Sequence, residues 1–221
     1  MDPVGDVRVV HGVLFDLDGT LADTEPLQWE AYRRALEPLG VDVGIEEYRR
    51  HWIAVEGGAE YACRTYGLAI DAAELRARKT VLYRGLIAAG VSPRPGARAA
   101  LERLAPHHRL AIATNSVRAE VDIVLGHLGI GHLVHALVTR EDYAAAKPAP
   151  DAYRAAAAAV GLPPAECVVV EDTARGVRAG IAAGCVVVAV PSELTWDNDF
   201  TGAARRLPDL AGGEPRRREL V

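Results

Sequence analysis

Two aspartates, Asp16 and Asp18, stand two residues apart directly after a short apolar run. The run, residues 13–15, predicts a buried strand, and Gly19 and Thr20 predict the turn that ends it. Because side chains two residues apart on an extended chain point to the same side, the two carboxylates should lie close together. Neighbouring negative charges are costly unless a cation joins them. The pattern therefore predicts a site for Mg²⁺, which prefers carboxylate and carbonyl oxygens.

A hydroxyl-bearing turn follows a second apolar run. Residues 110–113 are followed by Thr114, Asn115 and Ser116. A hydroxyl group and consecutive backbone N–H groups at a strand-to-helix turn can bind a phosphate. The same residues also form ordinary helix caps. Taken alone, this turn leaves both interpretations open.

Lys147 and a second acidic pair come next along the chain. Lys147 precedes two closely spaced prolines, which favour a stiff extended segment, although a solvated surface lysine is an equal alternative. Glu171 and Asp172 end the apolar run 167–170. A second acidic strand end would add to the repulsion at the first. A Mg²⁺ ion held between Asp16, Asp18 and Asp172 would relieve it.

Together the four strand ends offer two acidic pairs, a hydroxyl turn and a lysine. Phosphoryl transfer needs a nucleophile, a metal ion, donors to phosphate oxygens and a cation. Each signal is weak or moderate alone, but their joint occurrence after strand-like runs favours phosphoryl-transfer chemistry.

The elements that must position these residues predict an α/β fold. Short apolar runs alternate with helical patterns, which is typical of a parallel sheet covered on both faces. The predicted helices are 97–104, 119–128, 150–160 and 174–183, and the further predicted strands are 137–138 and 185–190. We therefore predict a three-layer, Rossmann-like parallel sheet core.

An α-helical insertion interrupts this core after the first strand. Helical spacing covers residues 25–39, 45–52, 59–66 and 72–89, and prolines at 93 and 95 end the pattern. The predicted domains are an α/β core of residues 1–22 and 93–221 and an α-helical cap of residues 23–92. Ligands bind at the carboxyl ends of strands in open α/β sheets, so the cap should cover the site as a lid.

Composition excludes several other classes. The net charge of −5 and the 5% of aromatic residues argue against a nucleic-acid partner. Three widely spaced cysteines fit a reducing compartment. The acidic start of the chain does not resemble a signal peptide, and no apolar run is long enough to span a membrane. We expect a cytoplasmic protein, a monomer, with a solvated basic tail at 212–218.

The motifs resemble those of the haloacid dehalogenase (HAD) superfamily of phosphohydrolases. The resemblance rests on Asp16-Leu17-Asp18-Gly19-Thr20, Thr114, Lys147 and Glu171-Asp172, and it covers essentially the whole chain. Segments 79–96, 147–151 and 171–180 are similar to the subgroup of β-phosphoglucomutase, phosphoglycolate phosphatase and CbbY-type sugar phosphatases. Segment 193–200 is particularly similar to CbbY-like members.

The resemblance implies a role for each motif. Asp16 would be the nucleophile that forms an aspartyl-phosphate, and Asp18 the general acid and base. Asp16, the backbone carbonyl of Asp18, and Asp172 would bind Mg²⁺, with Glu171 behind these ligands. Three groups would bind the phosphoryl oxygens: Thr114, the Asn115 backbone and Lys147.

The cap would select the substrate. The resemblance implies that Glu25 contacts sugar hydroxyls, although a carboxylate also suits the first turn of a helix. It likewise implies that Lys79 reaches the substrate. Lys79 and Tyr83 share one helix face, but the neighbouring arginines favour a solvated position for Tyr83. Gln28 stands where β-phosphoglucomutase-like proteins commonly have histidine, which disfavours a mutase.

Three functions follow from these observations. The first is a Mg²⁺-dependent phosphatase of a small phosphorylated metabolite, a sugar phosphate being the expected phosphomonoester. The second is a sugar phosphomutase of the β-phosphoglucomutase type. The third is a receiver-like phosphoacceptor module, which also combines an aspartate, Mg²⁺, a hydroxyl residue and a lysine; the chain length and the helical insertion disfavour it.

Overall fold

A six-stranded parallel sheet forms the centre of the structure, a computed structural model that describes residues 10–53 and 58–211. The strand order is β3-β2-β1-β4-β5-β6. The strands are β1 (Gly12–Phe15), β2 (Arg109–Ala113), β3 (Ala136–Val138), β4 (Cys167–Glu171), β5 (Val186–Ala189) and β6 (Arg205–Arg206). The predicted strands are confirmed, whereas β6 was not predicted because two exposed arginines carry no apolar signal.

Helices cover both faces of this sheet. They are α5 (Ala97–Leu104), α6 (Arg118–Leu128), α7 (Asp151–Ala159) and α8 (Ala174–Ala183). Alternate residues of β1 point to opposite faces: Val13 and Phe15 pack in the cluster that includes α5 and α6, and Leu14 in the cluster that includes α7 and α8. The predicted three-layer α/β class is confirmed.

Further helices lie between β1 and Pro93. They are α1 (Glu25–Leu36), α2 (Ile45–Tyr48), α3 (Gly58–Tyr66) and α4 (Ala72–Ala89), with a π-helical turn at Arg49–Ile53. This region has its own apolar cluster, in which Trp52 packs with ring centroids 4.6 Å from Tyr32 and 5.6 Å from Tyr48. The predicted helix 45–52 is therefore two elements, α2 and the π-helical turn. The division into a core and a cap stays a prediction.

The chain enters and leaves the helical region at one point. Ala22 forms an isolated bridge with Pro93. The backbone N–H of Asp23 donates to the Ser92 carbonyl at 2.9 Å, and Asp23 also lies 3.6 Å from the guanidinium of Arg94. These contacts hold the two connecting segments side by side, and they fix where the helical region starts relative to the end of β1.

Within residues 10–53 and 58–211, no helix combines the length and the apolar character needed to cross a membrane. The acidic start of the chain and the basic segment 212–218 lie outside these residues.

Candidate active site

The strand register brings the predicted site residues to one edge of the sheet. Phe15 of β1 pairs with Ile112 of β2 on one side and with Val170 of β4 on the other. The backbone N–H of Asp16 donates to the Val170 carbonyl at 3.0 Å. The three strands therefore end level, and the polar residues that follow them meet.

Lys147 is the cation at the centre of this site. Its Nζ lies 2.5 Å from Asp16 Oδ1, 2.9 Å from Glu171 Oε1, 2.9 Å from the Ala113 carbonyl and 2.8 Å from the Tyr153 hydroxyl. Burial alone lowers the pKa of Lys147, but the two carboxylates outweigh it and raise that pKa above its ordinary value. The buried ammonium group therefore stays charged.

Glu171 has both carboxylate oxygens occupied. Oε1 accepts from Lys147 and from the Tyr153 hydroxyl, both at 2.9 Å. Oε2 accepts from the N–H groups of Asp172 and Thr173 and from the Thr173 hydroxyl, at 2.9 to 3.0 Å. Burial raises the pKa of Glu171, but Lys147 and these donors together lower it below its ordinary value. Glu171 thus anchors Lys147 with little capacity left for a ligand.

Asp16, Glu171 and Asp172 form a buried acidic cluster. One oxygen from each lies within 4.8 Å of the others. Asp172 Oδ2 is buried and has no hydrogen-bond partner in the described part of the chain. Gly19, at φ +86°, leaves room beside this oxygen, since a Cβ there would lie 2.2 Å from it. Burial, followed by repulsion from neighbouring carboxylates, raises the pKa of Asp172 well above its ordinary value. An unpaired oxygen beside further carboxylates fits a hard divalent cation.

Asp18 lies in different surroundings from Asp16. Its Oδ1 accepts from the hydroxyl groups of Thr24 at 2.8 Å and Tyr83 at 3.4 Å. Its Oδ2 accepts from those of Ser116 at 2.7 Å and Thr114 at 3.0 Å. The Asp18 carboxylate thus faces hydroxyl groups, whereas Asp16 faces Lys147.

The side chain of Asn115 supports the segment that carries Lys147. Its Oδ1 accepts from the Tyr143 hydroxyl at 2.7 Å and from the backbone N–H of Lys147 at 3.1 Å. Among the described residues, the backbone N–H of Asn115 itself makes no hydrogen bond. This N–H is therefore available for the predicted contact with a phosphoryl oxygen.

A cavity of about 590 Å³ separates this edge of the sheet from the helices, and Glu25 and Lys79 both line it. Glu25 is buried and accepts from the Tyr48 hydroxyl at 3.1 Å; burial raises the pKa of Glu25. The Lys79 Nζ lies 4.4 Å from the ring centroid of Tyr83 and 5.4 Å from that of Tyr32. The structure thus brings both predicted cap residues to the cavity.

The expectation that Tyr83 is solvated is wrong. Tyr83 is 1% exposed and its hydroxyl lies against Asp18. The arginines that suggested a solvated face, Arg76, Arg78 and Arg84, are exposed, although Arg76 and Arg84 also line the cavity. An amphipathic helix carries both environments within one turn, so neighbouring charges did not identify the buried face.

Sequence reasoning missed Thr24, Tyr83 and Ser116 as partners of Asp18, and Arg175, which also lines the cavity. Lysine usage is a signal for the two site lysines that were predicted, and not for these four residues. The chain has 25 lysines and arginines, and only Lys79 and Lys147 are lysines. Both line this cavity.

A parallel sheet with aspartate and lysine residues at its carboxyl edge is typical of α/β proteins that transfer phosphoryl groups. The model of the haloacid dehalogenase-like hydrolase family matches residues 10–184. The chain belongs to this family, as its motifs predicted.

Similar proteins indicate which members of this family the chain resembles. The chain is 36% identical to the protein CbbY of Rhodobacter capsulatus over 214 residues, which cover 91% of this chain and 94% of that protein. It is 31% identical to the fructose-1-phosphate phosphatase YqaB of Escherichia coli, covering 81% of this chain and 95% of YqaB. A crystal structure of a CbbY mutant from Rhodobacter sphaeroides with xylulose-1,5-bisphosphate superimposes with a TM-score of 0.78 at 30% identity, covering 92% of this chain and 96% of that one. The chain is a phosphatase of the haloacid dehalogenase-like family.

Proposed function

We propose that this protein is a Mg²⁺-dependent phosphatase that hydrolyses a sugar phosphate through an aspartyl-phosphate on Asp16. The contrast between Asp16 and Asp18 supports this proposal most strongly. Asp16 contacts a buried ammonium group and belongs to an acidic cluster, whereas Asp18 is held by four hydroxyl groups. Two carboxylates in contrasting environments can perform different steps of one reaction.

The first step forms the covalent intermediate. A carboxylate oxygen of Asp16 attacks phosphorus, and the bond between phosphorus and the substrate oxygen breaks. Asp18 gives its proton to that oxygen, so the sugar leaves as a neutral alcohol.

The second step restores the enzyme. Asp18, now a carboxylate, takes a proton from a water molecule, whose oxygen attacks phosphorus. The bond between phosphorus and Asp16 breaks, and inorganic phosphate leaves. Asp18 regains its proton and Asp16 its negative charge.

The acidic cluster supports the metal requirement. Asp16, the backbone carbonyl of Asp18, and Asp172 would hold Mg²⁺, and the unpaired Oδ2 of Asp172 favours this assignment. When bound, Mg²⁺ offsets the negative charge of the carboxylates and of the phosphoryl group. Glu171 keeps Lys147 beside Asp16.

The remaining polar groups suit the phosphoryl oxygens and the sugar. The Thr114 hydroxyl lies beside Asp18, and Asn115 follows it at the edge of the cavity. The Thr114 hydroxyl, the Asn115 N–H and Lys147 can donate to phosphoryl oxygens. Glu25 and Lys79 face the part of the cavity left for the sugar. The names of the relatives, a fructose-1-phosphate phosphatase and a CbbY bound to a xylulose bisphosphate, favour a phosphorylated sugar.

A phosphate-release screen tests the proposal. Purified protein is incubated with sugar phosphates, phosphoglycolate and nucleotides, with Mg²⁺ and with EDTA. We expect Mg²⁺-dependent release from a sugar phosphate. Failure to hydrolyse any phosphomonoester under any metal condition would refute the proposal.

The phosphomutase alternative has its own test. The protein is given β-glucose 1-phosphate with a trace of the 1,6-bisphosphate. Glucose 6-phosphate formed without phosphate release would replace our proposal with a mutase. Family membership already sets aside the receiver-like alternative.

A further inference from the structure

Arg175 is a cation of the cavity that the motifs do not explain. Within the described ranges, its guanidinium makes no hydrogen bond and has no carboxylate within 4.0 Å, although it lines the cavity. The other arginines that line the cavity are paired with carboxylates: Arg76 with Glu60, and Arg84 with Glu120. Arg175 therefore has donors to offer a ligand.

The position of Arg175 is unfavourable for a purely structural residue. It lies in the first turn of α8, which Thr173 caps by accepting from the Gly176 N–H at 3.2 Å. The positive end of the helix dipole repels a cation there. The carboxylates of Glu25, Glu171, Asp16 and Asp172 offset this repulsion, since they raise the pKa of Arg175, but among the described residues none of them lies within 4.0 Å of its guanidinium.

Glu25 and Arg175 both line the cavity. Each changes the pKa of the other: after burial, Arg175 is the strongest influence on Glu25, and Glu25 the strongest on Arg175. Glu25 Oε2 accepts from Tyr48, whereas Oε1 accepts no hydrogen bond from the described residues. The cavity thus offers hydrogen-bond donors at the Arg175 guanidinium and an acceptor at Glu25 Oε1.

The charge of the cavity disfavours a second phosphate. Seven carboxylates and five cationic side chains of the described residues line it. With Asp18 protonated, as the proposed first step requires, these formal charges and a divalent cation sum to +1, so a phosphoryl group of charge −2 already makes the occupied cavity negative. An uncharged, hydroxylated carbon chain fits the remaining space better than another anion.

We propose that Arg175 is a specificity-determining residue that donates hydrogen bonds to a hydroxyl or carbonyl oxygen of the sugar chain, beside a hydroxyl group that donates to Glu25. This inference rests on the proposed phosphatase function. The substrate class is a sugar monophosphate with adjacent oxygen functions, either a hydroxyl beside a carbonyl or two hydroxyls.

The test compares two substrates that undergo the same chemistry. Fructose 1-phosphate, or the best sugar monophosphate of the screen, has the hydroxyl and carbonyl oxygens that Arg175 would contact, whereas phenyl phosphate has no oxygen outside its phosphate ester. We expect Arg175→Met to lower kcat/KM for the sugar phosphate about 10- to 100-fold, the cost of a hydrogen bond to a charged group. Activity on the aryl phosphate should stay close to that of the wild type.

Two further variants control the measurement. Arg178→Met changes an exposed arginine one turn further along α8 and should leave both activities unchanged. Arg175→Lys keeps the charge but not the planar fork, and it should also lose preference for the sugar phosphate. If Arg175→Met does not fold, the activities on the two substrates are compared for Arg175→Lys instead.

Several results would overturn the inference. An equal loss on both substrates would mean that Arg175 only supports the acidic cluster, and no loss would mean that it has no role. A larger loss on xylulose 1,5-bisphosphate than on the monophosphate would mean that it binds a second phosphate. A wild-type protein inactive on every phosphomonoester would instead refute the phosphatase function on which this inference rests, and that failure is visible before any variant is made.

Discussion

Asp16, which contacts Lys147, is the proposed nucleophile, and its replacement should abolish turnover. Asp16→Asn keeps the shape of the side chain but removes the charge that would attack phosphorus. We expect kcat to fall by about 10⁴-fold or more, as on removal of a catalytic nucleophile. Phosphate release measures this, and acid-quenched labelling with radioactive phosphate should mark the wild type and not the variant.

The matched control for this prediction is Asp122→Asn. Asp122 is exposed on α6, so its replacement should leave both turnover and labelling unchanged. Labelling that persists in Asp16→Asn would show that another residue is the nucleophile.

The buried position of Lys147 predicts that its replacement lowers the stability of the fold. Lys147→Met would leave Asp16 and Glu171 buried without their common cation. Breaking a buried ion pair by removing one partner costs about 3–5 kcal/mol, so we expect the free energy of unfolding in urea to fall by this amount.

The other lysine of the chain provides the comparison. Lys79 contacts aromatic rings and has no carboxylate within 4.0 Å in the described part of the chain. Lys79→Met should therefore cost less than about 1 kcal/mol. Similar losses in both variants would contradict the central structural role that we assign to Lys147.

At the scale of elements, the start of α8 must approach Glu171 closely. A Cβ on Gly176 would lie 1.7 Å from Glu171 Oε1, so alanine would force the carboxylate away from Lys147. We expect Gly176→Ala to lower the free energy of unfolding by about 1–3 kcal/mol and to reduce turnover. Urea unfolding and phosphate release measure the two effects.

Gly126 is the matched control, since it also lies inside a helix, α6. A Cβ there would meet no atom within 4 Å. Gly126→Ala should be neutral or stabilise by up to about 1 kcal/mol, because alanine restricts the unfolded chain. Destabilisation by both substitutions would point to helix propensity rather than to the contact with Glu171.

Regular elements with an apolar period were predictable from the sequence. The bounds of α4 and α8 agree with the predicted 72–89 and 174–183, because their repeating apolar positions end at glycines. The strand β6 was not predicted, because its two arginines join the edge of the sheet through backbone pairing alone. Pairing of that kind has no side-chain signature.

The site was predictable where its residues follow strands, and not where separate elements meet. Asp16, Thr114, Lys147 and Glu171 come together as the parallel sheet predicted. The contacts of Asp18 with Tyr83 and Ser116 join residues 65 and 98 positions apart. The contact with Tyr83 depends on how α4 packs against the sheet edge, and the contact with Ser116 on how the turn after β2 folds towards β1. Local sequence patterns encode neither.

The whole molecule has a modest net charge of −5, and four carboxylates are buried among the described residues: Asp16, Glu25, Glu171 and Asp172. Burial is the largest cause that raises the pKa values of Asp16 and Asp172 well above the ordinary range. Groups with raised folded-state pKa values stabilise the folded state at low pH, and this stabilisation is lost as pH rises through those values. Glu171, whose pKa is lowered, has the opposite effect as pH falls.

The carboxylates with raised pKa values, Asp16, Glu25 and Asp172, lose their protons at a pH where those with lowered values are already ionised, so the metal-free protein should lose stability as pH rises. We expect its Tm to fall between about pH 5 and pH 8, above the ordinary carboxylate pKa range. Thermal unfolding in EDTA across this range measures the change. A Tm that rises steadily over the same range would contradict the raised pKa values.

Mg²⁺ should reverse this loss, since it binds the deprotonated carboxylates of the folded chain. At 100 times its Kd it would add about 2.7 kcal/mol, or roughly 5–10 °C in Tm for a domain of this size, with a larger gain at pH 8 than at pH 5. Asp172→Asn removes one of the repelling charges and the unpaired oxygen. This variant should therefore be more stable than the wild type without metal at pH 8 and should gain little from Mg²⁺, whereas Asp122→Asn should respond as the wild type does. A full Mg²⁺ response in Asp172→Asn would place the ion elsewhere, since a metal held by this cluster cannot stabilise a chain that lacks its principal open ligand.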